Sequence, residues 1–297
     1  MEATQVEMMM AVERCPVCGH GAGSDAAAGE ALALDQAPVQ CTVYRCRSCG
    51  LRWLEPYPVC DDFRSIYGSD YYEAEQEAGP SYRDTQVELA PCYAQIAGRF
   101  RALGIVEGLL DVGCGTGDFL RAAAEIGIAG EGIDPSSYAV EQARVAGLAV
   151  TEETLSEVVD RGRTFRAAHC SHVLEHTADA HAFLEQLNAC LEPNAPVYLE
   201  VPVQFDGVLD RVNRLRGLRR AYSEYSIHHH YFFTPAALTK LLRSHGFVIL
   251  SLTTFLPCRR AVRRAGPRKW LLQSMLWLGD RLGHRGDVIS VWARRER

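Results

Sequence analysis

An α/β fold built on one mostly parallel, doubly wound sheet is the architecture this sequence predicts. Three observations point to it. Short apolar runs alternate with segments of helical period from residue 85 onward. A glycine turn, Asp111-Val112-Gly113-Cys114-Gly115-Thr116-Gly117, follows the first apolar run. The next apolar run ends on an acid, Asp134. Strand, tight turn, helix, strand and carboxylate form the layout of a ligand site at the carboxyl ends of parallel strands.

The elements follow in order. Residues 85–103 read as a helix that Pro91 kinks or restarts. Leu109–Val112 is the first strand. Asp118–Ile126 has helical apolar spacing through Phe119, Leu120, Ala123 and Ile126 and stops before Gly127. Gly132–Asp134 is a strand, and Ser136–Ala146 is a helix capped by Ser136. Leu148–Thr151 and Ala167–Val173 are the third and fourth strands. Asp179–Leu191 is a helix stopped by Pro193, and Val197–Val201 is the fifth strand. Pro235–His245 is a helix ending at Gly246; Phe247–Thr254 and Val288–Arg294 complete a seven-stranded sheet. No internal repeat is present.

Composition sets the class. The chain has 297 residues, 47% of them apolar, enough for about two globular domains. A net charge of −6 is mild and names no partner. No apolar run reaches the ~18 residues of a membrane span, and residues 1–14 are too short and acidic for a signal peptide. The 11 cysteines without such a signal fit a reducing cytoplasm.

The glycine spacing narrows the ligand. A dinucleotide fingerprint needs its third glycine at position 118, which is Asp118; the glycines stand at 113, 115 and 117. Asp111 sits poorly beside a pyrophosphate and well beside a cation. S-adenosylmethionine carries a sulfonium and an ammonium and no phosphate. Glycines let the backbone pass close beneath it, and Asp134 can accept from both ribose hydroxyls.

The segment resembles motif I of class I S-adenosylmethionine-dependent methyltransferases, and further stretches agree in order. Gly130-Glu131-Gly132-Ile133-Asp134-Pro135 resembles the second strand with its ribose-binding acid. His172-Val173-Leu174-Glu175-His176 resembles the end of the fourth strand. Leu191 to Pro196, followed by Val197-Tyr198-Leu199-Glu200-Val201-Pro202, resembles the turn and fifth strand. The resemblance spans roughly residues 85–297 and implies a Rossmann-like sheet whose final two strands pair antiparallel. It implies a cofactor set of Asp111, Gly113, Cys114, Gly115, Gly117, Asp134, Pro135, Thr154, Leu155 and His172. Two departures stand out: Phe165-Arg166 replaces the family's Phe-Asp pair, and Asn194-Ala195 replaces its Gly-Gly. Asn tolerates the left-handed backbone such a turn needs.

Upstream, Cys15-Pro16-Val17-Cys18-Gly19 and Cys46-Arg47-Ser48-Cys49-Gly50 form two Cys-x-x-Cys knuckles. Each places two thiolates on one tetrahedral ion, and a β-hairpin between them closes the gap. A redox dithiol is the competing reading. Four thiolates leave no open position, so the Zn²⁺ expected on Cys15, Cys18, Cys46 and Cys49 is structural and supplies folding energy. Cys41 and Cys60 break the spacing. The organisation expected is a zinc-ribbon module over 1–60, a packed linker over 61–84 and a methyltransferase domain over 85–297, with basic insertions near 208–222 and 257–286. The segment Leu51 to Pro58 with Tyr71-Tyr72 resembles the connector of methyltransferases that carry such a ribbon.

Methyl transfer from a sulfonium asks chiefly for alignment, with a base where the acceptor is a hydroxyl or a carbon acid. His228-His229-His230-Tyr231-Phe232-Phe233-Thr234-Pro235 resembles a family segment over the substrate pocket. By that resemblance His229 is the candidate general base; His228 replaces the family's glutamate. Three adjacent histidines do not converge easily on one metal ion. The expected function is methyl transfer to an O or C atom of a small or carrier-linked molecule, such as a sugar or secondary metabolite. Arginines at 211–220 and 259–268 read as a solvated face, as a site for an anionic substrate, or as a peripheral membrane contact beside Trp270 and Trp277. An RNA methyltransferase that docks through its ribbon is a second hypothesis, opposed by the acidic balance. A non-catalytic recruitment protein is a third, opposed by the intact glycine turn and Asp134.

Overall fold

In the computed structural model, the structure describes residues 14–20, 30–32, 41–55, 72, 82–203, 205, 229–255 and 288–296. His228, Cys60, both arginine-rich stretches and most of the expected linker lie outside these residues.

Strands β1 (Glu30–Leu32), β2 (Cys41–Arg45) and β3 (Arg52–Glu55) form an antiparallel meander beside the knuckles. Helix α1 (Tyr82–Ala102) runs through Pro91 as one element, so of the kink or restart expected there the restart does not occur. Then β4 (Leu109–Val112), α2 (Asp118–Glu125), β5 (Gly130–Asp134), α3 (Ser137–Val145) and β6 (Val150–Glu152) alternate. Next come α4 (Leu155–Asp160), β7 (Ala167–Ser171), a 3-10 turn at Leu174–His176, α5 (Ala180–Ala189) and β8 (Pro196–Pro202). The described chain closes with β9 (Tyr231–Phe232), α6 (Pro235–Ser244), β10 (Phe247–Phe255) and β11 (Val288–Arg295).

The larger sheet has seven strands in the order β10-β11-β8-β7-β4-β5-β6. β4 through β8 pair in parallel, β11 is antiparallel to β8, and β10 is antiparallel to β11. Order reverses at β4, which pairs β5 on one side and β7 on the other. Such a switch point leaves a crevice outside the carboxyl ends of the strands. Every residue of β4 is buried, as a central parallel strand covered on both faces requires. On one face Phe100 of α1 meets Phe119 of α2 and Trp292 of β11.

Sequence-level caps hold. The Ser136 hydroxyl accepts from Ala139 N–H to start α3, and Thr234 accepts from Ala237 N–H to start α6. Asn194 has φ 66°, as the turn before β8 demands. Helix α4 was not foreseen; its start is a capping box in which Thr154 and Glu157 satisfy each other's backbone N–H. β7 ends at Ser171, short of the expected Val173, because His172 turns left-handed at φ 56°.

The cysteine unit is joined to the larger fold. β3 pairs antiparallel with β9, giving a four-stranded sheet β1-β2-β3-β9. Cys15, Val17, Cys46, Cys49, Leu51 and Trp53 share one buried cluster with Leu174, Phe183, Tyr231, Phe233 and Leu238.

Candidate active site

A cavity of about 660 Å³ opens at the carboxyl ends of β4, β5 and β7. Its floor is the glycine turn. Gly113 and Gly115 take φ 68° and 52°, a region that costs other residues about 1–2 kcal/mol. A Cβ on Gly113 would stand 2.5 Å from Val173 Cγ2, so only glycine lets the turn pass under that side chain. Asp134, at the end of the adjacent strand β5, fixes the turn directly: Gly115 N–H donates to Oδ2 (2.8 Å) and Ser136 N–H donates to Oδ1 (2.9 Å). Burial pushes this carboxyl up, and the two N–H groups draw it back. Each oxygen keeps a second lone pair for a ligand hydroxyl.

Asp111 lies beneath the turn, 2% exposed, with His169 Nδ1 at 2.7 Å from Oδ1. Burial raises its pKa, and the His169 charge and hydrogen bond oppose the rise. The His169 ring stacks on Phe119 with centroids 3.7 Å apart. Asp111, Asp118, Asp134 and Glu153 all line the cavity. Glu153 is partnered by Arg161 and by Arg163 at 3.2 Å. Asp118 pairs with Arg121 at 3.1 Å, so of the four carboxylates Asp134 is held by backbone N–H groups rather than by a charged side chain.

The segment that follows β7 carries a chain of ionisable groups. His172 places Nδ1 at 3.2 Å from Glu175 Oε1 and Nε2 at 3.3 Å from Glu200 Oε1. Partial loss of water in the cavity opposes the imidazolium, although the side chain stays 43% exposed, and the two carboxylates outweigh it and hold its pKa at about 10. Glu175 is fully buried; burial raises its pKa, and His172, His176 and His229 pull it down to about 2. Tyr198 donates to the other oxygen of Glu200. Glu175 Oε2 has no hydrogen-bond partner among the described residues. Glu175, His176 and His229 each bring one side-chain atom able to ligate a metal within 4.8 Å of the others. His176 lines the cavity, and His229 packs edge-on against it at 4.5 Å.

Of the residues expected to bind cofactor, Asp111, Gly113, Cys114, Gly115, Asp134, Pro135, Thr154, Leu155 and His172 line this one cavity. Gly117 does not; at φ 81° it precedes α2 and faces Leu148. His229 is 9% exposed and is not among the lining residues; it packs against His176, which is. The reading from sequence missed Glu153, His169 and Ser171 as lining residues. His169 and Ser171 were legible in principle, since alternate residues of a strand share a face.

The four cysteines meet at one point. Cys15 and Cys49 sulfurs stand 3.7 Å apart and Cys18 and Cys46 sulfurs 3.5 Å apart, with all four within 4.8 Å. A tetrahedral ion with metal–sulfur bonds of about 2.3 Å needs sulfur–sulfur edges of about 3.8 Å, so the set fits zinc. The knuckles are alike: Gly19 N–H donates to Cys15 O and Gly50 N–H to Cys46 O, each at 2.9 Å. Both glycines are left-handed, at φ 64° and 75°.

The model of a methyltransferase domain family matches residues 83–252, more than half of the chain. The chain belongs to the class I S-adenosylmethionine-dependent methyltransferases. S-adenosylmethionine is therefore the cofactor of its family, and the cavity lies where the glycine turn and Asp134 meet. Two curated relatives are named ubiquinone biosynthesis O-methyltransferase. The one from Methylobacterium nodulans is 29% identical over 159 residues, covering 49% of this chain and 61% of its own length. The one from Chelativorans sp. is 26% identical over 204 residues, covering 62% of this chain and 78% of its own. Among solved structures, magnesium protoporphyrin IX methyltransferase from Synechocystis PCC 6803 with bound SAH aligns at a TM-score of 0.52 and 16% identity. That alignment covers 78% of this chain and 98% of the other, and it supports the fold.

Proposed function

We propose that this methyltransferase moves the methyl group of S-adenosylmethionine to an oxygen of a small or carrier-linked molecule, with a carbon acceptor as the alternative. The observation that carries the reading is the cavity itself. One wall is acidic and built on the glycine turn, and the other presents His176 backed by Glu175 and His229. The first suits the cationic cofactor, with Asp134 on its ribose. The second suits a hydroxyl that loses its proton as it attacks the methyl carbon. The names of the curated relatives favour oxygen as the acceptor.

In this reading His229 acts through His176, which faces the cavity, and Glu175 holds the pair in a protonatable arrangement. Alignment of acceptor and methyl group supplies most of the rate, so loss of the base costs about 10²–10⁴-fold. Zn²⁺ on Cys15, Cys18, Cys46 and Cys49 is structural. We place the organisation as a zinc-binding unit followed by the methyltransferase domain, in the cytoplasm. No helix among the described residues is long and apolar enough to cross a membrane.

The test is transfer of isotopically labelled methyl from S-adenosylmethionine to panels of phenols and catechols, nucleotide-linked sugars and RNA. Label on a small hydroxyl compound, reduced in His176→Ala and His229→Ala, supports the proposal. Label on RNA alone, or label unaffected by both variants, overturns it.

A further inference from the structure

The two knuckles each touch one of the two chain segments that carry the histidine wall. On the first, Val17 O lies 3.1 Å from His181 Nε2, in the first turn of α5. Helix α5 follows directly on the turn that carries Glu175 and His176. On the second, the Thr234 hydroxyl donates to Cys49 O at 2.7 Å while accepting Ala237 N–H at 3.1 Å. The knuckle then continues through Gly50 into β3. A Cβ on Gly50 would stand 3.3 Å from Thr234 Cγ2, so the turn and the helix cap are in close contact.

β3 next pairs with β9, Arg52 opposite Phe232 and Trp53 opposite Tyr231. Leu54 N–H donates to His230 O at 3.2 Å, and His230 N–H donates to Glu175 O at 2.8 Å. The backbone of His230, next to His229, is thus held between β3 and the Glu175 turn. Tyr231 OH donates to Ala178 O at 3.0 Å, tying β9 to the same turn. The glycine turn and Asp134 belong to β4 and β5, which lie in the other sheet.

Resting on the reading above, we propose that the metal at Cys15, Cys18, Cys46 and Cys49 is a clasp for the catalytic wall. By joining the knuckle that holds α5 to the knuckle that holds Thr234 and β9, it sets His229 against Glu175 and His176. Thr234 is the positioning residue that transmits it. The cofactor half of the cavity stands without the clasp.

The experiment compares the full reduced chain, zinc-loaded and chelator-stripped, by amide hydrogen exchange. Product titration with S-adenosylhomocysteine runs in parallel. On zinc loss, amides of 229–238 are expected to exchange at least ~10-fold faster, while those of 109–117 hold. The product dissociation constant is expected to stay within about threefold. Unchanged exchange over 229–238 after verified zinc loss overturns the proposal.

If stripping unfolds the whole chain, zinc-loaded Thr234→Val decides. It is expected to loosen 229–238 and lower kcat with KM for S-adenosylmethionine unchanged, and Thr234→Ser is expected to restore both. A valine variant with wild-type exchange and kcat overturns the proposal. The two readings fail separately. Zinc-dependent protection without product binding sinks the methyltransferase reading alone. Product binding without zinc-dependent protection sinks the clasp alone.

Discussion

Replacing Asp134 by asparagine should weaken cofactor binding by a calculable amount. In the wild type, Gly115 N–H donates to Oδ2 and Ser136 N–H to Oδ1 at 2.8 and 2.9 Å. Asparagine offers one oxygen and one NH2 group. Either amide orientation leaves one backbone N–H facing another N–H in a site where the side chain is 7% exposed. An unsatisfied buried donor costs about 1–3 kcal/mol, so the variant should be less stable by that amount. Loss of the charged acceptor for the ribose costs a further ~1.5–3 kcal/mol, about 10- to 150-fold in the dissociation constant. Calorimetric titration of S-adenosylhomocysteine and urea denaturation, on both proteins, check the two parts. A dissociation constant within about threefold of wild type, in a folded variant, would refute the ribose assignment. Because burial raises the Asp134 pKa, wild-type affinity should also fall as pH drops toward that value, and Asp134→Asn should lose this limb.

Gly132→Ala should destabilise the chain by about 1–3 kcal/mol, since a Cβ there meets Cys114 Sγ at 2.6 Å, Cys114 Cβ at 2.8 Å and Leu120 Cδ1 at 2.8 Å. It should weaken product binding too, because Cys114 is part of the glycine turn; a stability equal to wild type in urea counts against the packing argument. The Glu200–His172–Glu175 chain should make stability fall in alkali. The His172 pKa stands at about 10 against an ordinary 6.5, so its contribution is complete below pH 6.5 and lost as pH climbs through 10. Glu175 has the opposite sign: its contribution is present above pH 4.5 and lost as pH falls through about 2. Denaturation midpoints across alkaline pH should drop more steeply for wild type than for His172→Gln, and parallel curves would contradict the linkage.

Local signals in the chain specified much of this fold. The run from Leu109 to Asp134 carries a strand, a left-handed glycine turn, an amphipathic helix and a second strand, each with its own cue. Ser136, Asp179 and Thr234 announce helix starts by hydrogen bonds to N–H groups two or three residues on. Helix α4 escaped notice because six residues are too few for a periodic pattern, although Thr154-Leu155-Ser156-Glu157 spells a capping box. The left-handed His172 had no such cue. Its backbone N–H donates to Glu200 O at 3.0 Å and its ring meets two carboxylates, one of them distant in sequence on β8. Glu200 gave a partial signal as the one charge in a buried apolar strand. The pairing of β3 with β9 involves two residues on each side and joins parts of the chain far apart, so nothing local encodes it. His229 was identified by pattern, but its place behind His176 depends on that same pairing.

The most direct test of the account is a crystal structure of the zinc-loaded chain grown with S-adenosylhomocysteine. The account predicts the product in the cavity at the ends of β4 and β5, ribose hydroxyls on Asp134, and its sulfur on the side of the cavity that His176 faces. A cavity left empty at saturating product, or product bound away from Asp134, would contradict it.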